Sequence, residues 1–83
     1  LKERVVVVAV GVEQDAAKPI AIELRDAGHD VIWLGAATPA AIVSASIQEA
    51  ADRVVIVGNG DGADVVRRRL GTDGPKVDVR RGD

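Results

Sequence analysis

Three short apolar runs constrain this chain more than anything else in it: Val5 to Val10, Val31 to Leu34 and Val54 to Val57. Each is rich in β-branched residues, and each is continuous where a half-buried strand would alternate. Runs of this kind read as strands buried on both faces, as in a parallel sheet. Between them, apolar residues recur at helical spacing. Ala17, Ile20, Ala21, Leu24 and Ala27 form one such set; Val43, Ser46, Ile47 and Ala50 form a second; Ala63, Val66 and Leu70 form a third.

The punctuation agrees with that division. Asp15 is placed to cap the first helix, Pro19 is tolerated in its first turn, and Gly28 supplies the stop. Thr38-Pro39 joins a capping residue to a proline at the first helical position. Gly71 ends the third helix, and after the turn Thr72 to Pro75 a fourth strand is expected over Lys76 to Val79. Strands alternating with helices imply right-handed crossovers and a parallel sheet. The expected fold is therefore a three-layer α/β sandwich of flavodoxin-like, Rossmann-like winding, strand order 2-1-3-4. A full fold of that winding has a fifth strand, for which no segment remains.

The 83 residues make one small domain, residues 1–83, whose core is Val, Ile, Leu and Ala. Leu1 in place of Met suggests a piece of a longer chain. Net charge is −2, from 11 basic and 13 acidic residues, which argues against nucleic-acid binding. A single Trp leaves no stacking platform for single strands. No apolar run approaches the length of a bilayer span, and the first residues carry no signal peptide. With no Cys as well, a cytoplasmic protein is expected.

The stretch IELRDAGHDVIWLG, followed by TPAAIVSASIQEA, resembles the cobalamin-binding domain of the methylmalonyl-CoA mutase type. That family has a similar ALRDAG-x-x-VI-x-x-G followed by TP-x-x-IV-x-AA-x-E. The likeness spans the first three strand–helix units and rests on scaffold residues. It implies the fold, cobalamin as the possible cofactor, and association with a cobalamin-dependent isomerase. The residues that hold the cofactor in the family are altered here. Its first loop carries D-x-H-x-x-G, with the His below cobalt; this chain has Gly11-Val12-Glu13-Gln14-Asp15-Ala16-Ala17-Lys18. Its third strand ends in S-x-L, around the nucleotide tail; here the position reads Gly58-Asn59-Gly60. Its fourth strand ends in a glycine pair; here Arg80-Arg81-Gly82 follows Val79.

His29 lies in the turn before strand 2, away from the expected ligand crevice, and one His without partners is no metal site. The loop Gly58 to Gly62 opens a helix, but its glycines do not have the dinucleotide spacing, and Asp61 and Asp64 would repel a phosphate. Asp61 reads as a helix cap. Glu13, Asp15 and Asp61 would converge if the ligand crevice lay at the switch between strands 1 and 3. A phospho-acceptor site would also need an acidic pair ending strand 1 and a Lys beyond strand 4, and both are missing. Arg67, Arg68 and Arg69 read as a solvated face, Arg81-Gly82-Asp83 as a chance tripeptide, and Trp33 as core. Ser44 and Ser46 sit inside the second helix, so no nucleophile–base pair exists and independent catalysis is not expected.

The candidate cofactor-binding residues are therefore Gly11, Glu13, Asp15, Gly58, Asn59 and Gly60, with no catalytic or metal-ligating residue. Three functional readings follow. The first is a degenerate cobalamin-binding-like module for assembly or interaction beside an acyl-CoA mutase-type enzyme. The second is a cobalamin carrier without a protein His ligand. The third is a small nucleotide- or anion-binding domain. The fourth strand is expected to leave an open edge, partly blunted by Arg80 and Arg81. That edge implies self-association into a homo-oligomer or a larger mutase-type subunit as partner, through ordinary packing with no aromatic hot spot.

Overall fold

A computed structural model describes residues 2–58, 60 and 62–81. Chain order is β1 (Arg4–Val10), a 3₁₀ turn (Gln14–Ala17), α1 (Lys18–Asp26), β2 (Asp30–Ala36), α2 (Pro39–Gln48), β3 (Arg53–Gly58), α3 (Ala63–Leu70) and β4 (Lys76–Arg80). All pairings are parallel and the sheet order is β2-β1-β3-β4. This is the flavodoxin-like winding expected from the alternating pattern, with four strands among the described residues.

Period-two alternation divides the strand side chains between two cores. Val6, Val8, Val54 and Ile56 face α2 and α3, where Ile42, Ala63 and Val66 meet them. Val5, Val7, Val55 and Val57 face the other way, toward Ala17 and the partly buried Ile20, Ala21 and Leu24. These strand residues have essentially no solvent exposure. Each buried aliphatic side chain contributes about 2 kcal/mol.

The helix ends show why the chain turns where it does. At the end of α1, His29 N–H donates to Leu24 O at 3.1 Å and Gly28 N–H to Arg25 O at 3.0 Å. Gly28 takes φ of +96°, so both orphan carbonyls are satisfied in a Schellman motif. At the end of α2, Ala51 N–H donates to Ser46 O at 3.0 Å and Ala50 N–H to Ile47 O at 3.2 Å. Arg4 adds a further cap, donating from Nη1 to Glu49 O at 2.9 Å. Thr38 caps the start of α2 as its sequence predicts, accepting from Ala41 N–H at 3.2 Å.

Three expectations need correction. Asp15 does not cap α1. The 3₁₀ turn intervenes, Ala17 is the N-cap with no side-chain hydrogen bond, and Asp15 instead pairs with Lys18 at 3.1 Å. The inner face of α2 is carried by Ile42 and Ser46, one helical turn apart, while Ile47 is exposed because it lies about 100° further round the helix. Ser46 is buried without penalty, its hydroxyl donating to Ile42 O at 2.7 Å. Finally, β2 is not buried on both faces. The winding places it at a sheet edge, so Trp33 is 39% exposed and is not core. The expected cap Asp61 lies outside the described residues.

The half of the sheet farthest from α1 compensates with charge. On β4, Val77 packs toward the α2–α3 core, which turns Asp78 to the opposite face. There Arg53 bridges Asp78 and Glu3, its Nε lying 3.2 Å from Glu3 Oε1.

Candidate functional site

The carboxyl ends of the strands carry a cluster of glycines. Gly11, Gly35, Gly58 and Gly60 have φ of +75°, +71°, +140° and +75°, a region that residues with a Cβ rarely adopt. Only some of them border open space. A cleft of about 680 Å³ lies between the loop Gly11–Glu13, after β1, and the segment Ala36–Thr38, at the end of β2. Ala9 and Val10 form its floor, and among the described residues Glu13 is its single ionisable lining residue. Thr38 lines it too, although its hydroxyl is already engaged in capping α2.

Gly58 and Gly60 serve a different purpose. β1 and β3 remain paired as far as Val10↔Gly58, and a Cβ at Gly58 would run into the Val10 carbonyl oxygen. A Cβ at Gly60 would sit 3.0 Å from Val79 Cγ1. These glycines let the β1 and β3 backbones come close at Val10 and Gly58, and let Gly60 lie against Val79. The cleft lies between the β1 and β2 loops, while the mouth of the β1–β3 switch includes Asn59 and Asp61, which lie outside the described residues.

The structure thus brings Gly11 and Glu13 together at the cleft. Asp15 is turned outward in its ion pair with Lys18, and Gly58 and Gly60 stand at the β3 end. Asn59 lies outside the described residues. Ala36 and Ala37 form a wall that the residue types did not announce. The available signal was Thr38-Pro39, which fixes where α2 begins and so where the β2 loop must stand.

His29 is at the opposite end of the sheet, where its Nδ1 accepts from Glu3 N–H at 3.1 Å. The donors that do stand near the first loop are Glu13 and Gln14, and a Cβ at Gly35 would lie 2.7 Å from Gln14 Oε1. These residues do not fit a corrin held from below by an imidazole. Among the described residues, no group of three His, Asp or Glu side chains is placed to hold a metal ion. The titration of Arg53 is displaced upward, by its hydrogen bond to Asp78 first and to Glu3 second. That triad is a scaffold feature, at a distance from the cleft.

A second concavity flanks the free edge of β2. It encloses about 310 Å³ between α1 and the strand. Ala21, Ile22, Val31 and Trp33 make its apolar surface, and Lys18 and Arg25 its basic ends. Ile22 is 50% exposed. Trp33 and Val31 share one face of β2 by alternation, and Lys18, Ile22 and Arg25 share one stripe of α1.

No protein-family model matches the chain, and no curated protein matches it at a significant level.

Proposed function

We propose that this domain is an assembly module of the cobalamin-binding lineage. In this reading it docks on a larger acyl-CoA mutase-type subunit and neither carries the cofactor nor performs chemistry. The observation that carries the reading is the exposed pair Ile22 and Trp33 beside an unpaired strand edge. Large apolar side chains placed together on a small domain mark a contact surface more often than scattered ones do. An unpaired edge adds a row of backbone donors and acceptors to the same surface. The first loop supports the same reading, since Gly11 to Lys18 carries no His where the loop of the resembled family has one.

Two measurements test it. Purified chain incubated with hydroxocobalamin and passed through gel filtration elutes without corrin absorbance. Labelled chain titrated with a purified mutase-type catalytic subunit gives a saturable rise in fluorescence anisotropy. Stoichiometric corrin in the protein peak would overturn the proposal. It would install a second reading, a carrier that binds without a protein His, which the cleft beside Gly11 and Glu13 favours.

A further inference from the structure

We infer that the groove between α1 and β2 takes an extended acidic segment of a partner protein, added as a strand along the free edge of β2. The inference rests on the assembly reading and names the chemistry of the partner.

The geometry restricts the occupant in three ways. First, the apolar surface is a strip along the edge strand, formed by Val31 and Trp33 from β2 and by Ala21 and Ile22 from α1. A strand laid beside β2 presents alternate side chains to that strip, so one apolar residue seats against Ile22 and Trp33. Second, both ionisable residues that line the groove are basic: Lys18 near one end and Arg25 near the other. Lys18 also pairs with Asp15 at 3.1 Å, but both side chains are exposed, so that pair is weak and readily exchanged for a partner's carboxylate. They are seven residues apart on α1, or about 10 Å along its axis. In an extended segment, residues two before and two after the seated one are about 13 Å apart. Lys and Arg side chains reach across that difference. The fitting pattern is acidic, any, apolar, any, acidic.

Third, charge disfavours a second copy of this chain. A two-fold axis bringing two α1 stripes together would run near Ala21 and Ile22. It would set Lys18 of one copy beside Arg25 of the other, like against like. The opposite edge does not compete for the segment. β4 carries Lys76, Asp78 and Arg80 at alternate positions, with Asp78 held by Arg53, and charge of this kind protects an edge from pairing.

The test uses a short acetylated, amidated peptide in which threonines alternate with glutamate, valine and glutamate. A control carries lysines in place of the glutamates. Trp33 is the single tryptophan, so its emission reports the groove directly. The acidic peptide is expected to change that emission saturably, to shift the backbone amides of β2, and to bind more weakly as salt rises. Lys18→Ala with Arg25→Ala is expected to weaken binding about tenfold. Lys18→Glu with Arg25→Glu, verified as folded by circular dichroism, is expected to exchange the preference in favour of the basic peptide.

Equal binding of both peptides, no saturable change, or no exchange of preference in the charge-reversed variant overturns the inference. Concentration-dependent self-association that quenches Trp33 in place of peptide binding also overturns it, in favour of a second copy. The corrin measurement separates the two proposals. Peptide binding by a chain that retains corrin removes the assembly reading and leaves the groove assignment. Failure of the peptide with a corrin-free chain removes the groove assignment alone.

Discussion

Gly28 and Ala50 occupy the same position in the same helix-ending motif, one after α1 and the other after α2. Gly28 has φ of +96° and Ala50 has φ of +51°. Both donate to the carbonyl three residues back, and the following residue donates five residues back. Glycine reaches that region freely, while a Cβ costs about 1 kcal/mol there. Ala50→Gly is therefore expected to raise stability in urea unfolding by about 1 kcal/mol. Gly28→Ala is expected to lower it by a similar amount and no more, because its Cβ would meet nothing within 4 Å.

The contrast between Gly58 and Gly71 separates strain from collision. Both have positive φ, but Gly71 faces open space while a Cβ at Gly58 meets the Val10 carbonyl. Gly71→Ala is expected to cost about 2 kcal/mol, because φ of +76° with ψ of 177° is a region essentially confined to glycine. Gly58→Ala must also push β1 from β3 in a close-packed sheet, and is expected to cost about 3 kcal/mol or more. Denaturant midpoints of the two variants, measured side by side, check the ranking.

His29 fixes the entry to β1 through its ring. Because Nδ1 accepts from Glu3 N–H, the ring proton of the neutral imidazole sits on Nε2. Long-range nitrogen–proton correlation spectra are expected to show that tautomer. His29→Ala, which leaves the Glu3 N–H to water, is expected to cost about 1 kcal/mol. Cobalt chemistry at this ring would give the opposite pattern, with metal-dependent shifts in a residue that here serves the backbone.

Arg53 joins three segments, being paired with Glu3 before β1 and with Asp78 on β4. Its titration is raised by these carboxylates, Asp78 foremost. A raised basic group contributes its full stability below its unfolded value and loses it as pH climbs through the folded one. Arg53 titrates far above neutrality, so its own ionisation leaves stability flat across the physiological range. Arg53→Met is expected to cost about 1 kcal/mol, since the partners are only partly buried and solvent screens the pair. The loss is expected to shrink in high salt, measured by urea unfolding at two ionic strengths.

Much of the scaffold is legible in the residues. The runs at Val5, Val31 and Val54 are too short and too β-branched to be anything but strands, and Gly28, Thr38-Pro39 and Gly71 mark the helix ends correctly. What escapes is whatever depends on neighbours. Val31 to Leu34 has the composition of a central strand, yet the winding puts it at an edge, and only then does Trp33 become surface. Asp15 has the right residue type for a cap, but a 3₁₀ turn takes up the chain before α1 begins. Ala50 carries no signal of its left-handed backbone. Gly58 lets β1 and β3 close on each other, and no spacing rule records how close two backbones come.

The irregularity in β2 has a consequence for growth at that edge. Val7 pairs with Trp33 and Val8 with Gly35, so Leu34 is an extra residue in the ladder. Before it the strand keeps one phase, and after it another. β1 absorbs the insertion and resumes pairing at Gly35 and Ala36, and a strand added on the outer side has to make the same adjustment. The slip bends and twists the edge locally, which makes it a poorer template than a flat strand. That shape works against the usual hazard of such edges, in which each added strand becomes the template for the next.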